Sequence, residues 1–231
     1  MNTINLQKKM LTEVAQALGE QLLKEVVFVG GCTTGLLITD DFTKEKIRYT
    51  DDVDLIVDVV GYAAWTSLQE KLRTHGFSID MGEEVVCRML LGELKVDFMP
   101  VDEKALGFTN KWYKDTVATA QDYQLTDNFT IKLVAPEYFI ATKLEAYLGR
   151  GKGDCLSSHD IEDLLNIFDG REEIVGEINN TPVDLKNYIS EQLSALLDDQ
   201  NFEYAIQSLT NGDSDREALI FERLEGVISD E

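Results

Sequence analysis

Three aspartates are the residues of this sequence whose type and spacing best suit catalysis. Asp52 and Asp54 alternate with Val and Leu in an apolar run, and Asp97 lies in a second such run. Residues two apart in a β-strand point to the same face, so Asp52 and Asp54 project together. If the two runs are neighbouring strands, all three carboxylates converge, and carboxylate oxygens are ligands that Mg²⁺ prefers. The pattern predicts a divalent metal site at Asp52, Asp54 and Asp97.

A glycine pair predicts a binding place for a triphosphate. Gly30 and Gly31 directly follow the apolar run Val26–Val29. Glycines let the backbone approach a ligand closely, the N-terminus of a following helix offers N–H groups to phosphate, and Thr33 or Thr34 can add a hydroxyl. Two Mg²⁺ ions beside a triphosphate would activate an attacking hydroxyl and stabilise the leaving pyrophosphate. Together the two motifs predict nucleotidyl transfer, with two Mg²⁺ ions and an NTP as substrate.

A second set of charged residues lies later in the chain. Lys143 falls within a predicted helix, and Arg150 and Lys152 fall in a glycine-rich break. Near a triphosphate, Lys143 and Arg150 become candidates for binding its phosphates. Asp160 and Asp163 are one helical turn apart and share a face. Asp160 would orient Lys143 or Arg150, or act as a base; taken singly, each of these residues also fits an ordinary surface charge.

Hydrophobic periodicity predicts the elements that position these residues. Apolar runs rich in β-branched residues predict strands at 26–29, 53–59, 85–91, 94–99, 123–125 and 129–133. Gly92 and Glu93 form the predicted turn of a hairpin. Helical spacing predicts helices at 6–23, 33–38, 62–74, 136–148, 160–168, 171–178, 185–197, 202–209 and 215–227. The polar run 39–46 is predicted to be a loop, and Ser157 or Ser158 to cap the helix that begins at Asp160.

The order of the elements predicts the fold class and the domains. Strands and helices occupy the first part of the chain, and helices alone occupy the rest. This order predicts an α+β protein, with a core domain over residues 1–134 and a C-terminal helical lobe over 135–231 packed on that core.

Composition bounds the cellular setting and the partners. The chain has 231 residues, 44% of them hydrophobic, which is typical of a globular protein. It lacks an apolar run long enough for a membrane span and a signal-peptide core, and its three cysteines fit reduced thiols, so we expect a cytoplasmic protein without a membrane partner. The formal net charge of -22 repels nucleic acid, so an RNA partner requires a local basic patch or the help of another protein. The acidity also fits a simple role in solubility.

The motifs resemble those of a known family. Gly30-Gly31 followed by Arg48-x-Thr50-x-Asp52-x-Asp54 resembles the AbiEii/AbiGii-type nucleotidyltransferase toxin family, which belongs to the polymerase-β-like superfamily. The segments 141–147, 149–152 and 158–163 are similar to the downstream motifs of that family. The resemblance covers roughly residues 25 to 170, which is most of the chain and about the length of one domain.

The resemblance implies a fold, an activity and residue roles. It implies a polymerase-β-like core, a mixed sheet with flanking helices, followed by a C-terminal helical lobe. It implies transfer of a nucleotide to an RNA acceptor, with the tRNA 3′ end as the expected site, by a toxin of a bacterial toxin–antitoxin or phage-defence system that has a cognate antitoxin. The roles it implies are phosphate binding by Gly30 and Gly31, nucleotide binding by Arg48 and Thr50, metal binding by Asp52 and Asp54, and motif positions for Lys143 and Asp160.

Two other function classes stay open at this point. One is a nucleotidyltransferase that modifies a small molecule, such as an antibiotic-like hydroxyl, or a partner protein. The other is a non-enzymatic nucleotide-binding or antitoxin-like module. The intact set of three carboxylates argues against the non-enzymatic module, whereas the net charge of -22 argues against an RNA acceptor and so favours either of these two classes.

Overall fold

A computed structural model of the chain describes residues 3–79, 82, 85–150 and 153–229. Its strands are β1 (Val26–Val29), β2 (Asp52–Val57), β3 (Phe77–Ser78), β4 (Arg88–Leu91), β5 (Leu94–Pro100), β6 (Gln121–Thr126) and β7 (Phe129–Leu133). Its helices are α1 (Thr3–Leu23), α2 (Thr34–Leu37), α3 (Asp41–Lys46), α4 (Gly61–Thr74), α5 (Glu103–Leu106), α6 (Tyr113–Thr119), α7 (Pro136–Arg150), α8 (His159–Gly170), α9 (Ile174–Asn179), α10 (Val183–Leu197), α11 (Gln200–Thr210) and α12 (Ser214–Ile228). The predicted α+β class is confirmed, with a mixed sheet and flanking helices. No helix in the described part of the chain combines the length and apolar character that crossing a bilayer requires.

The chain divides into two compact units. The first, which we call the sheet unit, comprises Met1–Thr33 and Arg48–Ala135. The second, the helical unit, comprises Thr34–Ile47 and Pro136–Glu231. The sequence places everything before residue 135 in one domain, whereas the structure groups Thr34–Ile47 with the later helices.

The sheet unit is built on one mixed sheet. Within the described residues, seven strands pair in the order β3-β4-β5-β2-β1-β7-β6. The central strand β2 pairs antiparallel with β1 and parallel with β5, and β4 and β5 form the predicted hairpin around Gly92 and Glu93. Pairing of β2 with β5 was the condition for bringing Asp97 beside Asp52 and Asp54, and the topology meets it.

Alternation along the central strands separates a core face from a polar face. Val53 and Leu55 of β2, and Val96 and Phe98 of β5, are fully buried. Because side chains alternate along a strand, the aspartates between them project to the opposite face. Helix α1 contacts β2 and β7, and several of its apolar residues, among them Leu11, Val14 and Leu18, are fully buried. Burial of one face therefore fixes which way the carboxylates point.

Helix α8 is the centre of the helical unit. Its apolar residues Ile161, Leu164 and Phe168 are almost completely buried, and it packs against α3, α7, α11 and α12. The Ser158 hydroxyl accepts a hydrogen bond from the backbone N–H of Ile161, so Ser158 rather than Ser157 caps this helix.

The structure corrects the prediction of a loop at 39–46. Residues Asp41–Lys46 form helix α3, and the Asp40 carboxylate caps it by accepting from the Thr43 N–H at 3.0 Å. The backbone N–H groups of Thr39 and Asp40 each donate to the Gly170 carbonyl at 2.9 Å, so this segment is fixed to the end of α8. The short elements β3, α5 and α6 were not predicted either. Helix α7 continues through Arg150, and Lys152 lies outside the described residues.

Candidate metal centre

The polar face of the sheet carries a cluster of three carboxylates. Asp54 of β2 lies directly opposite Asp97 of β5 in the parallel register. One oxygen from each of Asp52, Asp54 and Asp97 lies within 4.8 Å of the others. Asp97 is buried and the other two are half-buried. The structure therefore brings the three aspartates together as a set of hard oxygen donors, which is the type of ligand that suits a divalent cation.

Gly30 makes room for this cluster at the end of β1. Its φ is +77°, in the left-handed region, and a Cβ at this position would lie 1.8 Å from Oδ2 of Asp54. Asp54 can occupy its place only because residue 30 has no side chain. Gly31 begins a single 3-10 turn, Gly31–Thr33, which leads into the four-residue helix α2. The Thr33 hydroxyl donates to the Gly30 carbonyl at 2.8 Å, so it stabilises this turn.

Thr50 and Arg48 lie just before β2. The Thr50 hydroxyl donates a short hydrogen bond to Oδ1 of Asp52 and holds that carboxylate in one orientation. The Arg48 carbonyl accepts a hydrogen bond from the Gln7 side chain at 3.2 Å, which ties the segment to helix α1. The Thr50 hydroxyl therefore contacts the carboxylate cluster directly.

Arg88 is a member of the cluster that was not predicted from the sequence. Its Nε lies 2.7 Å from Oδ1 of Asp97, and one terminal nitrogen lies 2.8 Å from Oδ2, so the contact is bidentate. The same terminal nitrogen lies 3.4 Å from Oδ2 of Asp52. A signal for Arg88 was present, because the predicted turn at Gly92 and Glu93 places residue 88 opposite residue 97.

Two buried thiols, Cys32 and Cys87, feel the charge of the carboxylates. Burial is the main cause that raises the pKa of Cys32 far above its usual range, and the charges of Asp54 and Asp52 add to it. Burial, with the charges of Asp97 and Asp54, raises the pKa of Cys87 to about 12. Both thiols are therefore protonated at neutral pH, so neither supplies a thiolate nucleophile.

The second set of candidates forms its own cluster within the helical unit. The Lys143 ammonium lies 2.7 Å from Oδ2 of Asp163 and 3.2 Å from Oδ1 of Asp160, and all three side chains are buried. Arg150 donates to both oxygens of Asp160 at 3.0 Å, although 73% of the Arg150 side chain is exposed. Burial by itself would raise the pKa of Asp160, but the Lys143 and Arg150 charges and hydrogen bonds hold it below its usual value.

Each unit also contains an open cavity. A cavity of about 480 Å³ in the sheet unit is lined by residues that include Tyr49, Asp51 and Lys95. Lys95 lies opposite Asp52 in the register and pairs with Asp51 at 2.8 Å, but none of the three clustered aspartates lines this cavity. A cavity of about 540 Å³ in the helical unit is lined by Ser158 and other residues around α8, and none of the three clustered aspartates lines it.

The comparisons with known proteins add no family assignment. No protein-family model matches the chain, and a search of the curated proteins finds no match.

Proposed function

We propose that this protein is a Mg²⁺-dependent nucleotidyltransferase, which transfers NMP from an NTP to a hydroxyl acceptor. The cluster of Asp52, Asp54 and Asp97 carries this proposal, because one oxygen from each lies within 4.8 Å of the others. Three hard oxygen donors of negative charge suit Mg²⁺ better than a softer metal. The contacts of Arg88 with Asp97 and Asp52 also support a cluster that attracts positive charge.

The residues around the cluster have complementary roles in this proposal. Asp52, Asp54 and Asp97 hold the metal, and Thr50 keeps the Asp52 carboxylate oriented. When bound, Mg²⁺ would supply neutralisation of the triphosphate charge and Lewis-acid activation of a hydroxyl. Gly30 leaves space for Asp54, and the Gly30–Gly31 turn lets the backbone approach the phosphates. The acceptor oxygen forms a bond to the α-phosphorus, the bond to pyrophosphate breaks, and the hydroxyl proton passes to water.

Lys143 and Arg150 stay candidates for binding the substrate phosphates, and we assign Asp160, in the same unit, to positioning both cations. The exposed Arg150 guanidinium is the more accessible of the two cations. Asp160 accepts hydrogen bonds from both cations, and its pKa is lowered. A general base at neutral pH works best with a pKa near 7, so positioning suits Asp160 better than proton abstraction.

Two classes of acceptor fit this chemistry. The resemblance to the AbiEii/AbiGii-type toxins favours an RNA acceptor, in particular the tRNA 3′ end, and a cognate antitoxin as partner. The net charge of -22 favours a second candidate, in which the acceptor is a small-molecule hydroxyl or a partner protein. The two candidates share the same metal site and differ only in what supplies the attacking oxygen.

Label transfer separates these candidates. Each of the four NTPs, labelled at the α-phosphate, is offered with Mg²⁺ to total tRNA, to a protein lysate and to a set of aminoglycosides. We expect label to appear on tRNA alone. Label on protein or on an aminoglycoside would instead identify the second candidate. Transfer to none of them, together with no NTP binding by calorimetry, would contradict the enzymatic function.

Variants of the cluster test whether the carboxylates do the chemistry. We expect Asp52→Asn and Asp54→Asn to abolish transfer while the circular dichroism spectrum stays unchanged. Asp122→Asn is the matched control, because Asp122 is an exposed aspartate of β6 that pairs with Lys132. Activity retained in both cluster variants would mean that the metal site is wrongly assigned.

A further inference from the structure

Arg88 sits where a divalent cation would find its ligands. It forms a bidentate contact with Asp97, at 2.7 and 2.8 Å, and approaches Asp52 at 3.4 Å. Its side chain is 13% exposed and that of Asp97 is 11% exposed, so water screens this contact only weakly. The guanidinium therefore neutralises part of the cluster charge and keeps the carboxylates together.

The same oxygens serve two cations. A carboxylate has about four lone-pair positions, and the bidentate guanidinium uses both oxygens of Asp97. A divalent ion takes carboxylate oxygens at about 2 Å, which would bring its charge close to the guanidinium. Like charges at such separations repel strongly in a site with little water. Arg88 and the metal therefore have opposing demands on Asp97.

We propose that Arg88 is a built-in counter-ion of the carboxylate cluster, which competes with the divalent cation and must release Asp97 for the metal to bind. This inference rests on the proposed function, since it concerns the same metal site. It assigns Arg88 the role of setting how tightly the protein holds the metal. The position of Arg88 as the first residue of β4, directly opposite Asp97, keeps the guanidinium within reach after its release.

Metal affinity in the absence of nucleotide tests the competition. Binding of Mn²⁺ alone is measured by calorimetry, and by the electron paramagnetic resonance signal of free Mn²⁺, for the wild-type protein and for Arg88→Gln. Because Arg88→Gln removes a charged competitor for Asp97, we expect it to bind Mn²⁺ at least about tenfold more tightly. Lys132→Gln is the matched control for the change in net charge, because Lys132 pairs with Asp122 on β6. We expect its Mn²⁺ affinity to equal that of the wild type.

A second variant and a spectroscopic measurement cover the case in which Arg88→Gln does not fold. Arg88→Lys keeps the charge but cannot form the bidentate pair, so we expect an intermediate Mn²⁺ affinity. In the wild-type protein, the Nε–H resonance of Arg88, assigned by its absence in Arg88→Lys, should shift on titration with Mg²⁺. An unchanged resonance at saturating Mg²⁺ would contradict release of Asp97.

The outcomes separate this inference from the proposed function. Tighter Mn²⁺ binding by Arg88→Gln, abolished when Asp54→Asn is added, supports the competition. Equal or weaker Mn²⁺ binding by Arg88→Gln, with clear binding by the wild type, overturns it and leaves the metal site intact. Absence of Mn²⁺ binding by the wild type and by every Arg88 variant overturns the metal site itself, and the competition with it.

Discussion

The position of the Asp54 carboxylate depends on residue 30 being a glycine. Gly30 has a φ of +77°, and a Cβ there would overlap Oδ2 of Asp54 at 1.8 Å. We expect Gly30→Ala to displace Asp54 and so to weaken Mn²⁺ binding. We also expect it to lower the free energy of unfolding by more than the roughly 1–2 kcal/mol that left-handed backbone costs a non-glycine residue. Calorimetry and urea unfolding measure the two effects.

Gly107 offers the matched control for Gly30. It has a similar φ of +84°, but a Cβ there would meet nothing within 4 Å. Gly107→Ala should therefore lose stability through backbone strain alone and keep its Mn²⁺ affinity. Equal Mn²⁺ affinities in Gly30→Ala and Gly107→Ala would show that Asp54 does not bind the metal or that it adapts to the added methyl group.

Ionisation of Asp160 makes the stability of the buried charge cluster in the helical unit depend on pH. Burial would raise its pKa, but Lys143 and Arg150 lower it below the usual 3.8. A folded pKa below the unfolded one means that ionised Asp160 stabilises the protein above about pH 4, and that this contribution disappears as the pH falls through the folded pKa. At pH 7 we expect Asp160→Asn to lose about 2 kcal/mol of unfolding free energy, because Lys143 and Arg150 lose a charged hydrogen-bond partner while Lys143 keeps Asp163 at 2.7 Å. The loss should shrink steadily below about pH 4.

Urea unfolding at several pH values measures this change. The wild type, Asp160→Asn and the control Asp184→Asn are compared, since Asp184 is an exposed residue in the first turn of α10. The control should stay within about 1 kcal/mol of the wild type at every pH, because it loses only the interaction of a first-turn charge with the helix dipole. A wild-type advantage over Asp160→Asn that persists unchanged at pH 3 would mean that the charge of Asp160 is not what stabilises the cluster.

At the scale of the elements, the end of helix α8 fixes the segment Thr34–Ile47. A Cβ on Gly170 would lie 2.6 Å from Cγ2 of Ile38 and 2.9 Å from Cβ of Thr43. We expect Gly170→Ala to lower the free energy of unfolding by about 1–3 kcal/mol through overpacking. In contrast, a Cβ on Gly176 of α9 would meet nothing within 4 Å. Gly176→Ala should therefore raise the free energy of unfolding by about 1 kcal/mol, because alanine has the higher helix propensity.

Thermal and urea unfolding of the two glycine variants test this difference. Both substitutions add one methyl group within the helical unit, so only the surroundings of the two positions differ. Stabilisation by Gly170→Ala would contradict a close contact between α8 and the segment Thr34–Ile47.

Helix α3, which lies in the same segment, could not be predicted from the sequence. Strands β1, β2 and β5 and the long helices were predictable, because burial of one face imposes a period on the sequence. Helix α3 was not, because it is six residues long and mostly polar. Its stability comes from contacts such as those of Thr39 and Asp40 with the Gly170 carbonyl, which are remote in the sequence. A polar run gives no sign of such a partner.

A second network, distant in sequence, holds the segment in place. Arg216 of α12 donates to Asp169 at 2.7 Å and to Asp40 at 3.0 Å. A hydrogen bond from the Thr43 hydroxyl is the main cause that lowers the pKa of Asp40 to about 2, and Arg216 contributes. The Thr43 hydroxyl lies within 2.8 Å of both Asp40 and Asp169 and can donate to only one of them at a time. Asp40 and Thr43 are a local capping pair, but no local sequence pattern joins Asp169 or Arg216 to them.

The candidate site divides between predictable and unpredictable parts in the same way. The convergence of Asp52, Asp54 and Asp97 follows from strand periodicity once β2 and β5 are neighbours. The place of Arg88 beside Asp97 can be predicted by counting residue pairs back from the hairpin turn, which puts residue 88 opposite residue 97. The need for glycine at position 30 depends on an interatomic distance between β1 and β2, which sequence spacing alone does not give.

At the scale of the whole molecule, the large negative net charge affects the stability of the fold. The chain has 43 acidic and 21 basic residues, and its net charge is -22 at pH 7. Self-repulsion of this charge opposes the compact state, and dissolved salt screens it. The Debye length falls from about 30 Å at 0.01 M to about 8 Å at 0.15 M ionic strength. We therefore expect the thermal midpoint at pH 8 to rise as NaCl increases over this range.

Salt also weakens attractive ion pairs. The direction in which salt moves the thermal midpoint therefore shows whether repulsion or attraction is the larger effect. Exposed pairs such as Lys24 with Glu20 contribute little, and the buried Lys143 cluster is screened only weakly. Repulsion should therefore prevail at pH 8 and vanish near the sequence pI of about 4.3, where the net charge is close to zero. Thermal melts over a salt series at both pH values check this. A midpoint that falls with NaCl at pH 8 would show that attractive pairs outweigh the repulsion, and that the acidity of the chain does not limit its stability.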